Sequence, residues 1–268
     1  MWKLGIRLEV LPGANVVEKF ASAQRYGFDA VELPGRCFDD YLDDLLAHRD
    51  ELALPVCSIS LGFRGSLVSA DATARQQCAQ DTMRILNLAA DLGAVGMVMP
   101  PILHMDKHPR LVPSGGRTLP QMHDELLLAQ LPQIADVAEA RGVALILEAV
   151  NPIETDYMHT VAKAASICAR VNRPGIRMLV DLFHMQWEED DWGDLIRRAS
   201  PWLAHVHIAE DSRLEPGPGG LDLGAAFSVL REVGYEGHVV IECRSLSGDA
   251  DEVLPRSVEY VRDAMIRD

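Results

Sequence analysis

An alternation of short apolar runs with longer amphipathic segments extends along the whole chain and constrains its fold more than any other feature. Most of the short runs are almost continuously apolar, which is typical of parallel strands covered on both faces. Eight runs are expected to form strands: residues 4–10, 29–33, 55–63, 94–99, 143–149, 176–182, 203–209 and 238–243. Amphipathic helices are expected between them, for example at 74–92, 125–141, 157–171 and 249–266.

This alternation predicts an α/β protein with one domain over residues 1–268, a single (β/α)8 TIM barrel. The 268 residues suit that fold, for which about 250 are typical. A doubly wound sheet also alternates, but it usually has fewer strands and often a glycine-rich first turn. The sequence has neither GxGxxG after the first strand nor GxxxxGK[ST]. Gly27, Gly93, Gly142 and Gly234 are expected to end helices.

The charge and the cysteines argue against several classes of function. The chain has 40 acidic and 25 basic residues, and its net charge of −15 disfavours nucleic acid and anionic membranes as partners. No run of 18 apolar residues predicts a membrane span. Without a secretory leader or a CxxC motif, the cysteines indicate reduced thiols in a cytoplasmic protein. The five scattered cysteines are Cys37, Cys57, Cys78, Cys168 and Cys243.

A proline-rich segment, residues 100–124, follows the fourth predicted strand, on the side of a barrel where active-site loops lie. It contains five prolines and the adjacent Gly115 and Gly116. It is expected to be a long loop, either a surface excursion or a lid over the substrate. His104 and His108 are expected to be ordinary loop residues rather than metal ligands.

Four consecutive strands end in side chains that can bind a metal. Glu148, Asp181 and Glu242 follow the apolar runs of strands five, six and eight, and strand seven carries His207. In a barrel these ends meet at one rim, where three carboxylates without a cation would repel one another and lose hydration. Mixed carboxylate and imidazole ligation suits Mn²⁺, Mg²⁺ or Co²⁺. A set of unrelated surface acids is the alternative.

His205 and His207 are two residues apart, so both side chains point to the same face of strand seven, the barrel interior. His207 is nearer the rim and is the better metal ligand. His205 is expected to be a hydrogen-bonded histidine one layer deeper. Glu32, at the end of strand two, either joins the site or caps the barrel, and Arg7 is expected to pair with Glu9 on strand one.

Four segments resemble one family closely: LEAVNPIET (147–155), VDLFHMQWEE (180–189), HVHIAEDSRLEPGPG (205–219) and YEGHVVIEC (235–243). They resemble the xylose-isomerase-like barrels of sugar isomerases and epimerases, and most of all the ketose 3-epimerases of the D-tagatose and D-psicose type. The N-terminal half resembles that family in architecture only. The chain departs from the family's pattern at Pro152, where the family often has Arg, and it lacks the aromatic residues often found after strand one.

The resemblance implies a metal-dependent epimerase or isomerase of carbohydrate metabolism that abstracts a proton next to a carbonyl. The implied metal ligands, with manganese among the candidate ions, are Glu148, Asp181, His207 and Glu242. Glu148 and Glu242 would also act as the base and the acid. The implied substrate contacts are Glu154, His184 and Arg213. The resemblance further implies a small carbohydrate substrate and a homo-oligomer, either a dimer or a tetramer.

Other activities on the same scaffold stay open. A lyase or dehydratase acting on a keto-sugar, keto-inositol or keto-glycoside would abstract the same proton and then expel a leaving group. Return of the proton to a different carbon would make the chain an aldose–ketose isomerase of the hydroxypyruvate type. An apurinic endonuclease is disfavoured because it needs further histidines on the early strands and a basic groove. A non-catalytic barrel is disfavoured because it would have lost ligands.

Overall fold

A closed barrel of eight parallel strands confirms the predicted fold. The computed structural model describes residues 2–35, 38–104, 109–188, 191–217 and 219–266. Neighbouring strands pair in chain order, and β8 pairs with β1 to close the barrel. The strands are β1 (Lys3–Arg7), β2 (Ala30–Pro34), β3 (Val56–Ser60), β4 (Gly96–Met99), β5 (Ala144–Leu147), β6 (Ile176–Asp181), β7 (Leu203–Ile208) and β8 (His238–Ile241).

One α-helix follows each strand within the described residues. The helices are α1 (Val16–Tyr26), α2 (Phe38–Ala47), α3 (Ala72–Asp91), α4 (Leu119–Arg141), α5 (Val161–Val171), α6 (Trp192–Ala199), α7 (Leu223–Glu232) and α8 (Ala250–Ile266). Gly27 and Gly142 directly follow α1 and α4 in the left-handed conformation that glycine adopts without strain. Gly93 and Gly234 lie two residues beyond α3 and α7, also with positive φ, so the predicted helix ends are confirmed.

Several predicted boundaries are wrong by a few residues: β3 ends at Ser60 rather than at residue 63, and α5 begins at Val161 rather than at residue 157. Strand β1 ends at Arg7 rather than at residue 10, because Leu8–Val10 form a turn of 3₁₀ helix. The predicted loop at 100–124 ends at residue 118, because Thr118 and Gln121 form a reciprocal capping box that starts α4 at Leu119. His104 in this loop is exposed, whereas His108 and Cys37 lie outside the described residues.

The interior of the barrel is polar toward the rim formed by the carboxyl ends of the strands. Glu32 on β2, Ser58 on β3 and both histidines of β7 are completely buried there. Asp181 and His207 are direct partners in the register of β6 and β7. Each strand therefore delivers its last side chains to the same end of the barrel, the end that carries active sites in this fold.

The sequence also led to predictions about the state of the cysteines and about membrane-spanning segments. Cys57, Cys78, Cys168 and Cys243 are buried free thiols. Burial raises the pKa of the Cys57 thiol to about 12, which makes it a poor nucleophile. None of the helices in the described ranges combines the length and the apolar character needed to cross a bilayer.

Candidate active site

The four predicted metal ligands lie at the carboxyl ends of the neighbouring strands β5 to β8, and all four are buried. His207 Nδ1 is 3.3 Å from Glu242 Oε2 and 3.7 Å from Glu148 Oε1. Glu148, Asp181 and Glu242 each place an oxygen in one cluster whose ligand atoms lie within 4.8 Å of one another, and His184 also belongs to it. The structure therefore brings the three predicted carboxylates together with His184, whereas His207 lies beside two of them and belongs to a second group with Glu32 and His205.

Arg213 joins two of these carboxylates. Its Nη1 donates to Asp181 Oδ2 at 2.8 Å, and its Nη2 donates to Glu242. The guanidinium also stacks on the ring of Phe183, 4.2 Å from the ring centroid. A planar group with several donors holds two carboxylates in a defined orientation, which a lysine could not do.

The backbone at Arg213 is in an unusual conformation that its neighbours impose. Its φ of 61° lies in the left-handed region, which few residues other than glycine adopt. The amide of Arg213 donates to the Glu210 carbonyl at 2.9 Å, and its own carbonyl accepts from the Arg244 amide at 2.8 Å. Strain of this kind persists only where the surrounding structure over-determines it, and here it aims the guanidinium into the site.

The two carboxylates predicted to act as acid and base lie in different electrostatic environments. Burial opposes ionisation of Glu242, but the charges of Arg213, His207 and Arg7 outweigh it and hold the pKa of Glu242 well below its usual range. Arg7 Nη1 donates to Glu242 Oε1 at 2.6 Å. Burial and the nearby Glu242 charge instead raise the pKa of Glu148. The environments thus push the two pKa values apart.

His184 faces the carboxylates as a hydrogen-bond donor. Its Nδ1 accepts from the backbone amide of Asn151 at 3.2 Å and lies 2.8 Å from the Asn151 side-chain nitrogen. In the neutral ring the proton is therefore on Nε2. That atom lies 3.5 Å from Asp181 Oδ2 and 4.0 Å from Glu148 Oε1. His184 is thus oriented to donate to an oxygen in the site, and its predicted contact with the substrate stays a prediction.

A cavity of about 410 Å³ opens above these residues. Glu154, the third predicted substrate contact, lies on its wall and accepts from the side chain of Asn151 at 3.1 Å. Arg7 and Glu9 form the wall at β1, where they pair as predicted, although Glu9 lies on the 3₁₀ turn rather than on a strand. No Phe, Tyr or Trp lines the described part of the cavity. The lining residues are Arg7, Glu9, Ser60, Leu61, Pro100, Leu103, Glu148, Val150, Glu154, His184, Arg213, Glu242, Cys243 and Arg244.

The barrel interior below the cavity contains the polar residues of β2, β3 and β7. Glu32 Oε2 lies 3.0 Å from His207 Nε2 and 3.3 Å from His205 Nε2. Ser58 Oγ donates to the same oxygen at 2.6 Å. His205 is therefore a hydrogen-bonded interior histidine, as predicted. Of the two roles left open for Glu32, the structure supports contact with the site, through His207.

The donor set suits a divalent cation. Glu148 Oε1 and His207 Nδ1 are buried, and neither has a hydrogen-bond partner among the described residues. Unpartnered buried polar atoms are costly, and two of them converging with further carboxylate oxygens need a common partner. One imidazole with three carboxylates is a ligand set for Mn²⁺, Mg²⁺ or Co²⁺ rather than for a thiolate-seeking ion.

A family model described as a xylose isomerase-like TIM barrel matches residues 20–264. The chain belongs to this family. It is 28% identical to the 3-dehydro-D-guloside 4-epimerase of Escherichia coli over 97% of this chain and 99% of that protein. It is 30% identical to the ketose 3-epimerase of Arthrobacter globiformis over 82% of this chain and 75% of that protein. These similarities place the chain among the family's isomerase-class enzymes, the sugar epimerases.

Solved structures agree with this assignment. The apo crystal structure of 3-keto-D-glucoside 4-epimerase from E. coli matches with a TM-score of 0.87 and 28% identity, covering 98% of this chain and all of that one. D-psicose 3-epimerase from Clostridium cellulolyticum, solved with D-tagatose, matches with a TM-score of 0.83. It is 22% identical and covers 98% of this chain and 99% of that one, so this second likeness supports the fold alone.

Contacts that two residues make in this xylose isomerase-like site were not predicted from the sequence. Arg7 was expected to pair with Glu9, but it also contacts Glu242. Arg7 is the last residue of β1, and the rule that pointed to the other strand ends would have marked it. Asn151 holds both His184 and Glu154. Its place between Glu148 and Glu154 was the only signal, and its partner His184 is 33 residues away in sequence.

Proposed function

We propose that this chain is a divalent-metal-dependent epimerase that inverts a stereocentre next to the ketone of a keto-sugar. The observation that carries the proposal is the pair Glu148 and Glu242, two buried carboxylates that belong to one cluster and line one cavity. A proton next to a ketone is weakly acidic, and inversion requires one group to remove it and another to return a proton to the opposite face. Two carboxylates in one cavity supply both groups.

Glu148, Asp181, His207 and Glu242 would hold the ion, in line with the unpartnered Glu148 Oε1 and His207 Nδ1. Among Mn²⁺, Mg²⁺ and Co²⁺ we favour Mn²⁺, because the set includes an imidazole nitrogen. When bound, the ion would polarise the substrate carbonyl and stabilise the negative charge that develops on its oxygen.

The protein's own groups would orient the sugar and manage the proton. His184 presents Nε2–H toward the cluster and would donate to a substrate oxygen. Arg213, 13% exposed in its side chain, brings a fixed positive charge to the same place. Glu154 on the cavity wall would accept from a sugar hydroxyl. Held groups of this kind lower the barrier because their orientation is set before the reaction begins.

Two substrates fit this chemistry, and we favour a 3-keto-glycoside with inversion at C4. The relative from E. coli whose name describes a 4-epimerase, 3-dehydro-D-guloside 4-epimerase, aligns with 97% of this chain. The wall at β1 is the ion pair of Arg7 and Glu9, and aromatic residues are absent from the described lining, so the pocket departs from the aromatic wall expected for a ketose 3-epimerase. The second candidate is C3 of a free ketose, which the sequence resemblance predicts.

Proton exchange tests both candidates. The Mn²⁺-loaded protein is incubated in D₂O with 3-keto-glucosides and with free ketoses, and deuterium incorporation is followed by NMR. Wild type is compared with Glu242→Gln, with bound metal quantified in each protein. The matched control is Glu215→Gln, a buried carboxylate that accepts from the Ser247 amide at 3.0 Å and takes no part in the cluster.

Deuterium at C4 of the keto-glucoside together with the C4 epimer, lost in Glu242→Gln and kept in Glu215→Gln, would support the favoured substrate. Deuterium at C3 of a ketose would support the second candidate. Label at C1 would indicate an aldose–ketose isomerase, and loss of a substituent would indicate a lyase. Absence of exchange on both substrate classes would refute the epimerase proposal.

A further inference from the structure

We infer that Glu32 is a positioning residue for the metal: it sets the tautomer of His207, so that the lone pair of His207 Nδ1 faces the cation. Glu32 lies on β2, far in sequence from the four proposed ligands, and its side chain is completely buried in the barrel interior. The inference rests on the metal site of the proposed function. It concerns how the chain builds that site rather than the reaction itself.

The first step is the direction of the hydrogen bonds at Glu32 Oε2. This oxygen has three neighbours at hydrogen-bond distance: Ser58 Oγ at 2.6 Å, His207 Nε2 at 3.0 Å and His205 Nε2 at 3.3 Å. An ionised carboxylate can only accept hydrogen bonds. Nε2 of each histidine therefore carries a proton and donates it to Glu32.

The second step is the consequence at the other nitrogen of His207. A histidine that binds a cation is a neutral imidazole with one protonated nitrogen, so a proton held on Nε2 leaves the lone pair on Nδ1 for the cation. Nδ1 of His207 faces Glu242 Oε2 at 3.3 Å and Glu148 Oε1 at 3.7 Å, and it has no hydrogen-bond partner in the described structure. The tautomer that Glu32 selects is the one that can bind a cation between those carboxylates.

The third step is the cost of the arrangement. A buried carboxylate is stabilised most when both oxygens are satisfied. Glu32 Oε1 is buried without a hydrogen-bond partner among the described residues, and the Arg7 guanidinium lies 4.0 Å from it. All three donors converge on the other oxygen. The side chain of Glu32 thus accepts hydrogen bonds from both histidines while its other oxygen stays without a donor. A residue whose role is to position His207 explains this arrangement.

Glu32, His205 and His207 also place their ligand atoms within 4.8 Å of one another, so the test must separate a hydrogen-bonded network from a second cation site. Metal-free wild type, Glu32→Gln and the control Glu215→Gln are titrated with Mn²⁺ under electron paramagnetic resonance, which yields affinity and stoichiometry. The tautomer of His207 is read from ¹⁵N-histidine NMR of wild type loaded with diamagnetic Mg²⁺.

We expect one Mn²⁺ per chain in wild type and a proton on Nε2 of His207. Glutamine can accept from Nε2 or donate to it, so it no longer selects one tautomer. We expect Mn²⁺ affinity to fall about 10- to 100-fold in Glu32→Gln, the range for residues that orient a metal-binding histidine. Affinity should stay within about twofold of wild type in Glu215→Gln, because Glu215 belongs to neither group of metal-binding side chains.

Three results would overturn the inference while leaving the proposed function intact. They are unchanged Mn²⁺ affinity in Glu32→Gln, a proton on Nδ1 of His207 in the loaded wild type, and two Mn²⁺ per chain with one lost in Glu32→Gln. The NMR measurement decides the matter by itself if Glu32→Gln does not fold. A wild-type protein that binds neither Mn²⁺ nor Mg²⁺ would instead refute the metal site on which the proposed function depends.

Discussion

Replacing Arg213 with Met tests whether this arginine supplies the positive charge of the site when no metal is bound. Arg213 joins Asp181 and Glu242, and the side chains of these three residues are 13%, 0% and 6% exposed. Removing one partner of a buried ion pair costs about 3–5 kcal/mol, because a buried charge is left uncompensated. In Arg213→Met that charge is Asp181, since Arg7 still contacts Glu242. For a chain of 268 residues this lowers Tm by roughly 6–10 °C, at about 2 °C per kcal/mol.

The loss of stability in Arg213→Met should depend on whether a metal is bound. A bound divalent cation would compensate the same carboxylates, so we expect the loss in the Mn²⁺-loaded protein to be smaller, about 1–2 kcal/mol. Mn²⁺ should therefore raise the Tm of Arg213→Met more than it raises that of wild type. Methionine is unbranched and faces the same left-handed backbone strain as arginine, so the substitution removes the guanidinium without changing the demand on the backbone.

Differential scanning calorimetry with EDTA and with Mn²⁺ measures both differences. The control is Arg64→Met, because Arg64 donates to the buried Asp81 through Nε and NH2, each at 2.9 Å, and the pair takes no part in the metal-binding cluster. We expect the same loss of Tm in that variant with and without Mn²⁺. An equal loss in both conditions for Arg213→Met as well would refute the reasoning, since it would show that arginine and metal do not compensate the same charges.

Three further predictions concern binding, pH and packing. Asn151→Ala should lower kcat/KM about 10-fold or more, without weakening Mn²⁺ binding, because it releases the ring of His184; steady-state kinetics and metal titration measure this. Burial lowers the pKa of His238 from 6.5 to about 4, so stability is lost as pH falls from 6.5 to 4. Wild type should therefore lose more unfolding free energy than His238→Gln between pH 7 and pH 4.5, and urea denaturation at the two pH values measures this. We expect a difference of about 1 kcal/mol, a figure discounted for the partial exposure of His238. Gly96→Ala should lower Tm by at least about 6 °C, since its Cβ would lie 1.9 Å from the Ala144 carbonyl oxygen; an unchanged Tm would contradict so close an approach of the two strands.

Local patterns predicted the strands and helices well because they depend on neighbouring residues. Apolar runs located all eight strands, and glycines located four helix ends. The start of α4 was misplaced because the proline-rich stretch concealed the capping box of Thr118 and Gln121. The cytoplasmic location and the dimeric or tetrameric state stay predictions.

The candidate ligands could also be predicted, since a parallel barrel places every strand end at one rim. Glu148, Asp181 and Glu242 needed only their position at the end of an apolar run, and His207 needed its place on the inward face of β7 near the rim. Their partners could not be predicted in the same way. Which oxygen Arg213 contacts depends on a left-handed turn and on the distance between two loops, and neither is a property of the local sequence.

The sequence by itself determined the barrel, its active end and the residue types available there, because periodicity and strand order are encoded locally. Only the tertiary structure decided how those residues are paired. Glu32 and His207 are 175 residues apart, and Arg7 and Glu242 are 235 apart, yet each pair is within hydrogen-bond distance. Hydrogen-bond direction and electrostatic compensation act over a few ångströms in space, so they appear only once closure of the barrel brings β1 and β2 beside β7 and β8.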